Sequence, residues 1–128
     1  MVTKNKETMK GTAMAANQPT KSKMPANEVL DITGMVNYAE GSIVSRTLIE
    51  SKAGTVTLFA FEAGQSLSEH TAPFDALVLV LDGEGEFTVG GKIHDVAAGQ
   101  ALLMPADIPH AVKAEKPFKM LLLMIRFL

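Results

Sequence analysis

Short runs of hydrophobic and β-branched residues recur about every ten residues from Ser42 onward, and Gly, Pro or Asp separates them. This rhythm is typical of an all-β sandwich or barrel, and stretches with the 3.6-residue period of an amphipathic helix are nearly absent. The pattern predicts eight strands: Ser42–Glu50, Gly54–Glu62, Ala76–Leu81, Gly85–Val89, Lys92–Val96, Ala101–Met104, His110–Ala114 and Phe118–Phe127.

The glycine pair Gly90-Gly91 separates the fourth and fifth predicted strands. A two-residue hairpin loop needs positive φ angles, and glycine adopts them without the steric cost that a Cβ atom imposes. We therefore predict a tight hairpin that joins Val89 to Lys92.

Two segments within the predicted strands, Ala76–Leu81 and Met120–Ile125, are apolar on both faces. Side chains alternate between the two faces of a strand, so one set fills the interior and the other set also needs cover. A second sheet of the same chain covers part of this apolar surface. Because a large open apolar face is rare on a monomer, we expect a homodimer that packs sheet on sheet about a two-fold axis.

Residues 1–26 differ in composition from the rest of the chain. They contain five Lys and one Glu, with Thr, Asn, Gly and Pro but almost no large aliphatic residues. Such a segment buries too little apolar surface to offset the entropy lost on ordering. We predict a flexible N-terminal extension at 1–26 and a single folded domain at 27–128. A translation start at Met24 instead of Met1 would remove most of the extension.

Length, composition and charge restrict the class of protein. The chain has 128 residues, of which 47% are hydrophobic and 20% charged, and this balance suits one soluble globular domain. It contains no Cys, which excludes disulfides and cysteine-ligated metals and suits a reducing cytoplasm. No apolar run approaches the roughly 20 residues that span a bilayer. Residues 27–128 carry seven basic and thirteen acidic groups, so we expect no nucleic-acid and no membrane partner.

The stretch from Gly64 to Gly83 has a regular spacing of glycine and histidine, with His70 six residues after the first Gly. It resembles the first motif of the cupin superfamily, which reads Gly, five residues, His, one residue, His, three or four residues, Glu, six residues, Gly. In this chain Ala72 stands in the place of the second His and Ala76 in the place of the Glu. The frame of the motif is retained, and two of its metal-ligating side chains are replaced.

Gly99, Pro105 and His110 match the second cupin motif, in which Asp107 replaces the second Gly and Ala114 replaces the Asn. Asp tolerates the left-handed turn conformation better than most residues, so the turn should persist. The resemblance covers residues 42–127. It implies an all-β fold, a double-stranded β-helix or jelly-roll barrel, of the small single-domain cupin-2 type.

The resemblance also implies a metal site of three His and one Glu, a ligand set that suits divalent transition metals. This chain offers only His70 and His110 at matching positions, whereas a catalytic metal normally needs at least three protein ligands. We therefore expect either no cofactor or a divalent transition metal that water, Asp75, Glu69 or a partner chain helps to hold. Glu69 adjoins His70 and should point to the opposite side of the strand.

Asp75 and His94 are further polar residues of the motif region. Asp75 either orients the His70 imidazole, as in metal-free acid–base catalysts, or caps the turn after Pro73. His94 is predicted to have a structural role. The candidate catalytic residues are thus His70, Asp75 and His110, and the implied pocket is lined by His70, Ala72, Ala76, Val78, His110 and Val112.

Three functions remain open, and the pattern does not decide whether the protein is an enzyme. The first is a barrel with a degenerate metal site that binds an unidentified small molecule in an apolar pocket edged by His70 and His110. The second is a metal-dependent oxygenase or isomerase that uses both histidines with substitute ligands. The third is a metal-free epimerase or isomerase that uses His70 with Asp75.

Overall fold

The computed structural model describes residues 21–22 and 24–126, so most of the predicted extension at 1–26 lies outside the described residues. A one-turn 3₁₀ helix spans Ile32–Met35. We number the strands in chain order: β1 Lys21–Ser22, β2 Ile43–Ser51, β3 Gly54–Phe61, β4 Ser66–His70, β5 Phe74–Asp82, β6 Glu84–Val89, β7 Lys92–Ala97, β8 Ala101–Met104, β9 His110–Lys113 and β10 Phe118–Arg126.

The strands form two sheets that face each other. One has four strands in the order β4-β9-β6-β7, and the other has six in the order β1-β2-β3-β10-β5-β8. Every pairing is antiparallel, and most neighbours in a sheet are not consecutive in the chain. The predicted all-β jelly-roll barrel is confirmed.

Strand β4 is the main element that the hydrophobic pattern does not predict. Its sequence, Ser-Leu-Ser-Glu-His, contains a single large apolar residue, Leu67, and the other four residues are exposed. It forms a strand because its backbone pairs with β9, with Lys113 opposite Ser66 and His110 opposite His70. The hydrophobic pattern of a sequence reports which side chains are buried, so it does not reveal that an exposed segment pairs with a distant strand.

The interior between the sheets is built around three phenylalanines that are fully buried. Phe118 stacks on Phe61 with ring centroids 4.7 Å apart and meets Phe87 edge-on at 5.9 Å. Such offset and edge contacts are the arrangements that aromatic rings favour. The packing is tight, because a methyl group added at Gly85 would lie 2.7 Å from the Phe118 ring.

Two turns adopt the backbone conformation that the sequence predicts. Val89 pairs with Lys92, and the two glycines between them have φ angles of 58° and 83°. This confirms the two-residue hairpin. Asp107 has a φ angle of 65°, so it adopts the left-handed conformation at the position where the second cupin motif has glycine.

The alternation of faces along β5 and β10 also agrees with the prediction. Inward-facing residues of both strands join one buried cluster, and the outward-facing residues lie on the outer face of the six-stranded sheet. The inward set is Ala76, Val78, Val80, Met120, Leu122 and Met124.

Residues 24–38 cover one half of that outer face, where their apolar side chains form a second buried cluster with Leu48, Leu58 and Ala60 of the sheet. The Lys119 ammonium fixes this segment, because it donates a 2.7 Å hydrogen bond to the Thr33 carbonyl and lies 5.1 Å from the Tyr38 ring centroid. The Tyr38 hydroxyl donates to the Asp82 carboxylate at 2.6 Å. Burial is the largest cause that raises the pKa of Tyr38 above its ordinary range, and the hydrogen bond to Asp82 is the second. The phenol therefore stays neutral.

Within the described part of the chain, no helix is long and apolar enough to cross a membrane.

Candidate functional site

His70 and His110 are brought together by the pairing of β4 with β9. The two residues are direct cross-strand partners, and their ring centroids lie 4.3 Å apart with the planes tilted by 68°. The strand pairing is irregular next to them, because one extra residue shifts the register between His110 and Val112. Such bulges re-aim side chains and are common beside functional sites.

Each imidazole is oriented by a hydrogen bond to the backbone carbonyl of the residue two positions earlier in the chain. The Nδ1 atom of His70 lies 2.8 Å from the Ser68 carbonyl, and that of His110 lies 3.1 Å from the Ile108 carbonyl. A carbonyl only accepts, so each Nδ1 carries the proton and donates it. In the neutral rings, Nε2 therefore holds the lone pair, and neither Nε2 has a hydrogen-bond partner among residues 24–126.

The histidines differ in exposure. His110 is buried, with 6% of its surface accessible, and His70 is exposed. The pair therefore extends from the barrel interior to its rim.

The interior surface of the six-stranded sheet carries four residues in one cross-strand line, which we call the inner row. The register places Thr55 opposite Met124, Met124 opposite Ala76, and Ala76 opposite Met104. Residues directly opposite each other share a face, so these side chains lie side by side across β3, β10, β5 and β8. The inner row provides two thioethers, a methyl group and one hydroxyl.

Thr55 is a residue that the sequence analysis missed. Its Oγ1 atom is the one side-chain nitrogen or oxygen atom of the described residues that is itself shielded from solvent and has no hydrogen-bond partner. A buried hydroxyl without a partner is destabilising, because it has lost water and gained nothing in exchange. The strand pattern "GTVTLFAF" gives no hint of this, since threonine is an ordinary strand residue.

Replacing Thr55 with Val should stabilise the protein by about 1 kcal/mol, because the shape is kept while the unpaired hydroxyl is removed. Urea unfolding followed by circular dichroism measures the change. Thr55→Ser is the matched control, since it keeps the hydroxyl and should lose stability. A Val variant that is less stable than the wild type would show that the hydroxyl is satisfied in solution.

Ala72, Ala76, Val78 and Val112 are the apolar residues that the sequence predicts to line a pocket, and a pocket at these positions stays a prediction. Ala76, Val78 and Val112 are buried in the main cluster. Ala72 is half-buried in the loop between β4 and β5, where its carbonyl accepts a 2.8 Å hydrogen bond from the Asp107 amide. The loops that carry the two motifs are thereby joined.

Asp75 holds the same loops together. Its Oδ1 accepts a 2.9 Å hydrogen bond from the Ala106 amide, which anchors the loop that leads to His110. This contact differs from the predicted cap on the turn after Pro73, because the amide that donates to Asp75 lies 31 residues away in the sequence. The His70 imidazole uses its own strand's carbonyl at Nδ1 instead of a carboxylate.

The described residues contain no group of three or more His, Asp or Glu side chains that could hold a metal ion. The two histidines fit a metal site in one respect, because a ligating imidazole usually donates its other N–H to a carbonyl or carboxylate. The remaining positions do not fit, since alanine supplies no donor atom at 72 or 76. The residues present therefore do not form the site of three His and one Glu that the resemblance implies.

A separate surface cleft of about 670 Å³ lies at the opposite end of β9 from His110. Its wall combines carboxylates with one lysine and two glycines: Gly83, Glu84, Gly85, Glu86, Asp95, Glu115, Lys116 and Pro117. None of the residues predicted for the site lies in it.

Comparison with known families and structures supports this architecture. Residues 57–126 match the family model described as a cupin domain. A conserved protein of unknown function from Streptococcus pyogenes is 36% identical, with a TM-score of 0.79 over 82% of this chain and 92% of that chain. A cupin superfamily protein from Desulfitobacterium hafniense is 29% identical, with a TM-score of 0.77 over 81% of this chain and 95% of that chain.

A third solved structure, a cupin 2 conserved barrel domain protein from Leptotrichia buccalis, is 47% identical with a TM-score of 0.72. The match covers 73% of this chain but only 46% of that one. No curated protein matches the chain.

Proposed function

The chain belongs to the cupin superfamily, and from this premise we propose that it binds a small molecule between its two sheets, against His70, His110 and the inner row. The fold alone does not select this function, because related barrels host unrelated activities. The proposal depends on the polar atoms that remain unpaired around an apolar interior. A few convergent polar groups in an apolar cavity are the usual composition of a ligand site.

The observation that carries the proposal is that the two imidazoles make the same kind of hydrogen bond and lie side by side. Each ring donates from Nδ1 to a carbonyl and presents an unpaired Nε2, and the ring centroids are only 4.3 Å apart. Two hydrogen-bond acceptors side by side are suited to a ligand that offers two donors, such as a vicinal diol or a primary amide or amine.

The inner row would limit the proposed ligand further. The inner row offers the Met124 and Met104 side chains and the Ala76 methyl, which favour an apolar body of adaptable shape. The Thr55 hydroxyl can donate to or accept from a second polar group of the ligand. We therefore propose a largely neutral, partly apolar ligand with donor groups at the end that reaches the histidines. The absence of Cys also suits the proposal of a cytoplasmic protein.

Metal-dependent catalysis is the second candidate, and the Nδ1 hydrogen bonds of both histidines favour it over the third. A metal-free His70–Asp75 pair has less support, because the Nδ1 atom of His70 donates to the Ser68 carbonyl and Asp75 accepts from the Ala106 amide. Elemental analysis of the protein, purified without affinity tags or chelators, distinguishes small-molecule binding without a metal from metal-dependent catalysis. The proposed function predicts well under one equivalent of any transition metal.

A fragment library of neutral diols, amides and amines, screened by ligand-observed NMR, tests the proposed binding directly. We expect a subset of the donors to bind, and His110→Ala and His70→Ala to weaken that binding by about tenfold or more, as loss of a buried hydrogen bond does. His94→Ala is the matched control, because His94 lies on β7 in the other half of the four-stranded sheet.

Two results would contradict the proposed function. One is binding that survives both histidine substitutions unchanged. The other is a stoichiometric transition metal whose removal abolishes fragment binding, which would assign the site to the metal-dependent alternative.

A further inference from the structure

Two methionine side chains of the inner row lie on either side of Ala76. Met104 on β8 and Met124 on β10 are both direct cross-strand partners of this alanine. Met104 belongs to the buried cluster of the barrel interior, and Met124 packs against that cluster. Because residues directly opposite each other share a face, the two thioethers lie on the interior face beside a residue whose side chain is only a methyl group.

The two histidines lie at the same end of the barrel as these methionines. The loop between β4 and β5 is held to the loop between β8 and β9 by the two backbone-amide hydrogen bonds described above. His70 ends β4, Met104 ends β8 and His110 begins β9, so all three adjoin the joined loops. Met124 lies opposite Ala76, the third residue of β5. Two imidazoles and two thioethers are therefore placed at one end of the barrel.

These four side chains form a neutral and soft set of donors. Each imidazole donates from Nδ1 to a carbonyl, as a metal-ligating histidine usually does, and its Nε2 lone pair is available. A thioether is an uncharged sulfur donor that selects Cu⁺, and imidazole also suits copper. No carboxylate joins the two histidines in a group of three among the described residues. Uncharged donors suit a monovalent ion, because they do not neutralise the larger charge of a divalent one at a largely buried site.

We propose that the histidine pair and the two methionines of the inner row form a binding site for Cu⁺. The methionine side chain has three rotatable bonds, so the thioethers can adapt to the position of the ion. The site shares the histidine pair with the proposed small-molecule site, but it does not require that a small molecule binds. Air oxidises Cu⁺ to Cu²⁺, which prefers nitrogen and oxygen donors in a planar arrangement. The low metal content that the proposed function predicts for protein purified in air is therefore expected here as well.

Anaerobic titration of the full chain with Cu⁺, in competition with a chromogenic Cu⁺ chelator, tests the proposal. We expect the wild type to take about one Cu⁺ per chain from the chelator. Met104→Leu combined with Met124→Leu should weaken the affinity at least a hundredfold, because loss of a group that only orients a ligand already costs about 10- to 100-fold. Leu has nearly the volume of Met, so this variant should keep the fold.

Met120→Leu is the matched control for the methionine substitutions. Met120 lies on the same face of the same strand as Met124, about 13 Å away along β10, and its cross-strand partners are Phe59 and Val80. We expect this variant to bind Cu⁺ as the wild type does.

X-ray absorption at the copper edge provides a second measurement that does not depend on a variant. The wild type loaded with Cu⁺ should show sulfur neighbours of the ion in addition to nitrogen neighbours. A site formed by the histidines alone would show nitrogen and no sulfur.

A wild type that takes no Cu⁺ from the chelator would overturn the proposal. So would a paired Leu variant that binds within about tenfold of the wild type, an equal loss in Met120→Leu, or a spectrum without sulfur neighbours. Fragment binding by the copper-free protein tests the proposed function separately, so either proposal can fail while the other holds.

Discussion

The double substitution Ala72→His with Ala76→Glu is expected to raise the affinity for Zn²⁺ by roughly three orders of magnitude over the wild type. It adds two donors to the existing histidine pair and completes a four-ligand set of the kind that holds zinc. The wild type contributes two imidazoles whose Nε2 atoms are already unpaired, which removes part of the cost of organising the site. Competition with a chromogenic chelator measures both affinities on one scale.

The environment of the two alanines decides how well the variant folds. Ala72 lies half-buried in a loop, so part of a larger side chain can extend into solvent. Ala76 is buried between Met104 and Met124, so without metal a Glu side chain both overpacks the interior and buries a carboxyl group that has no partner, which together cost about 3 kcal/mol or more. Added Zn²⁺ should recover that loss, because metal that binds only the native state stabilises it by mass action.

Ala72→His with Ala76→Gln is the matched control for volume. Gln has the size of Glu but a neutral amide, so this variant should bind Zn²⁺ more weakly than the Glu variant. If the wild type already binds within tenfold of the Glu variant, substitute ligands complete its site. The metal-dependent alternative would then replace the proposed function.

Phe118→Ala is expected to destabilise the fold by about 3–5 kcal/mol, which is a large share of the total stability of a domain this size. Phe118 is fully buried, stacks on Phe61 and meets Phe87 edge-on, so its removal opens a cavity at the centre of the core. Gly85 cannot fill the cavity, since it has no side chain. Urea unfolding gives the free-energy change from the shift of the midpoint.

Phe118→Leu keeps the prediction measurable if the alanine variant does not fold. It removes less volume and should cost about 1–2 kcal/mol. Ile93→Ala is the control, because a side chain that is 61% exposed should change stability by less than about 0.5 kcal/mol. A loss below about 1 kcal/mol in Phe118→Ala would contradict the described packing.

Much of the barrel follows from local chemistry in the sequence. The two-residue hairpin is predictable because only glycine adopts two successive positive φ angles at little cost. The inward and outward sets of β5 and β10 are predictable because side chains alternate. The proximity of His70 and His110 is predictable only through the cupin resemblance, since forty residues separate them and the pattern alone does not reveal their pairing.

The remaining features depend on contacts between distant parts of the chain. The Thr55 hydroxyl is unpaired because the side chains near it on other strands, such as Met124 opposite, do not form a hydrogen bond with it. The partner of Asp75 is an amide 31 residues away. The cover over half of the outer face comes from residues 24–38, which have no strand pattern and are fixed by the side chain of Lys119. Hydrophobic periodicity describes single elements and carries no information on these long-range partners.

Each imidazole is oriented by a carbonyl only two residues earlier in the chain, Ser68 for His70 and Ile108 for His110. The aim of the rings is therefore set by their own short stretches of backbone, not by the opposite wall. Evolution or protein engineering could remodel that wall for a new ligand and inherit the paired rings unaltered. Such modularity offers a route by which a barrel of this fold can acquire new ligands.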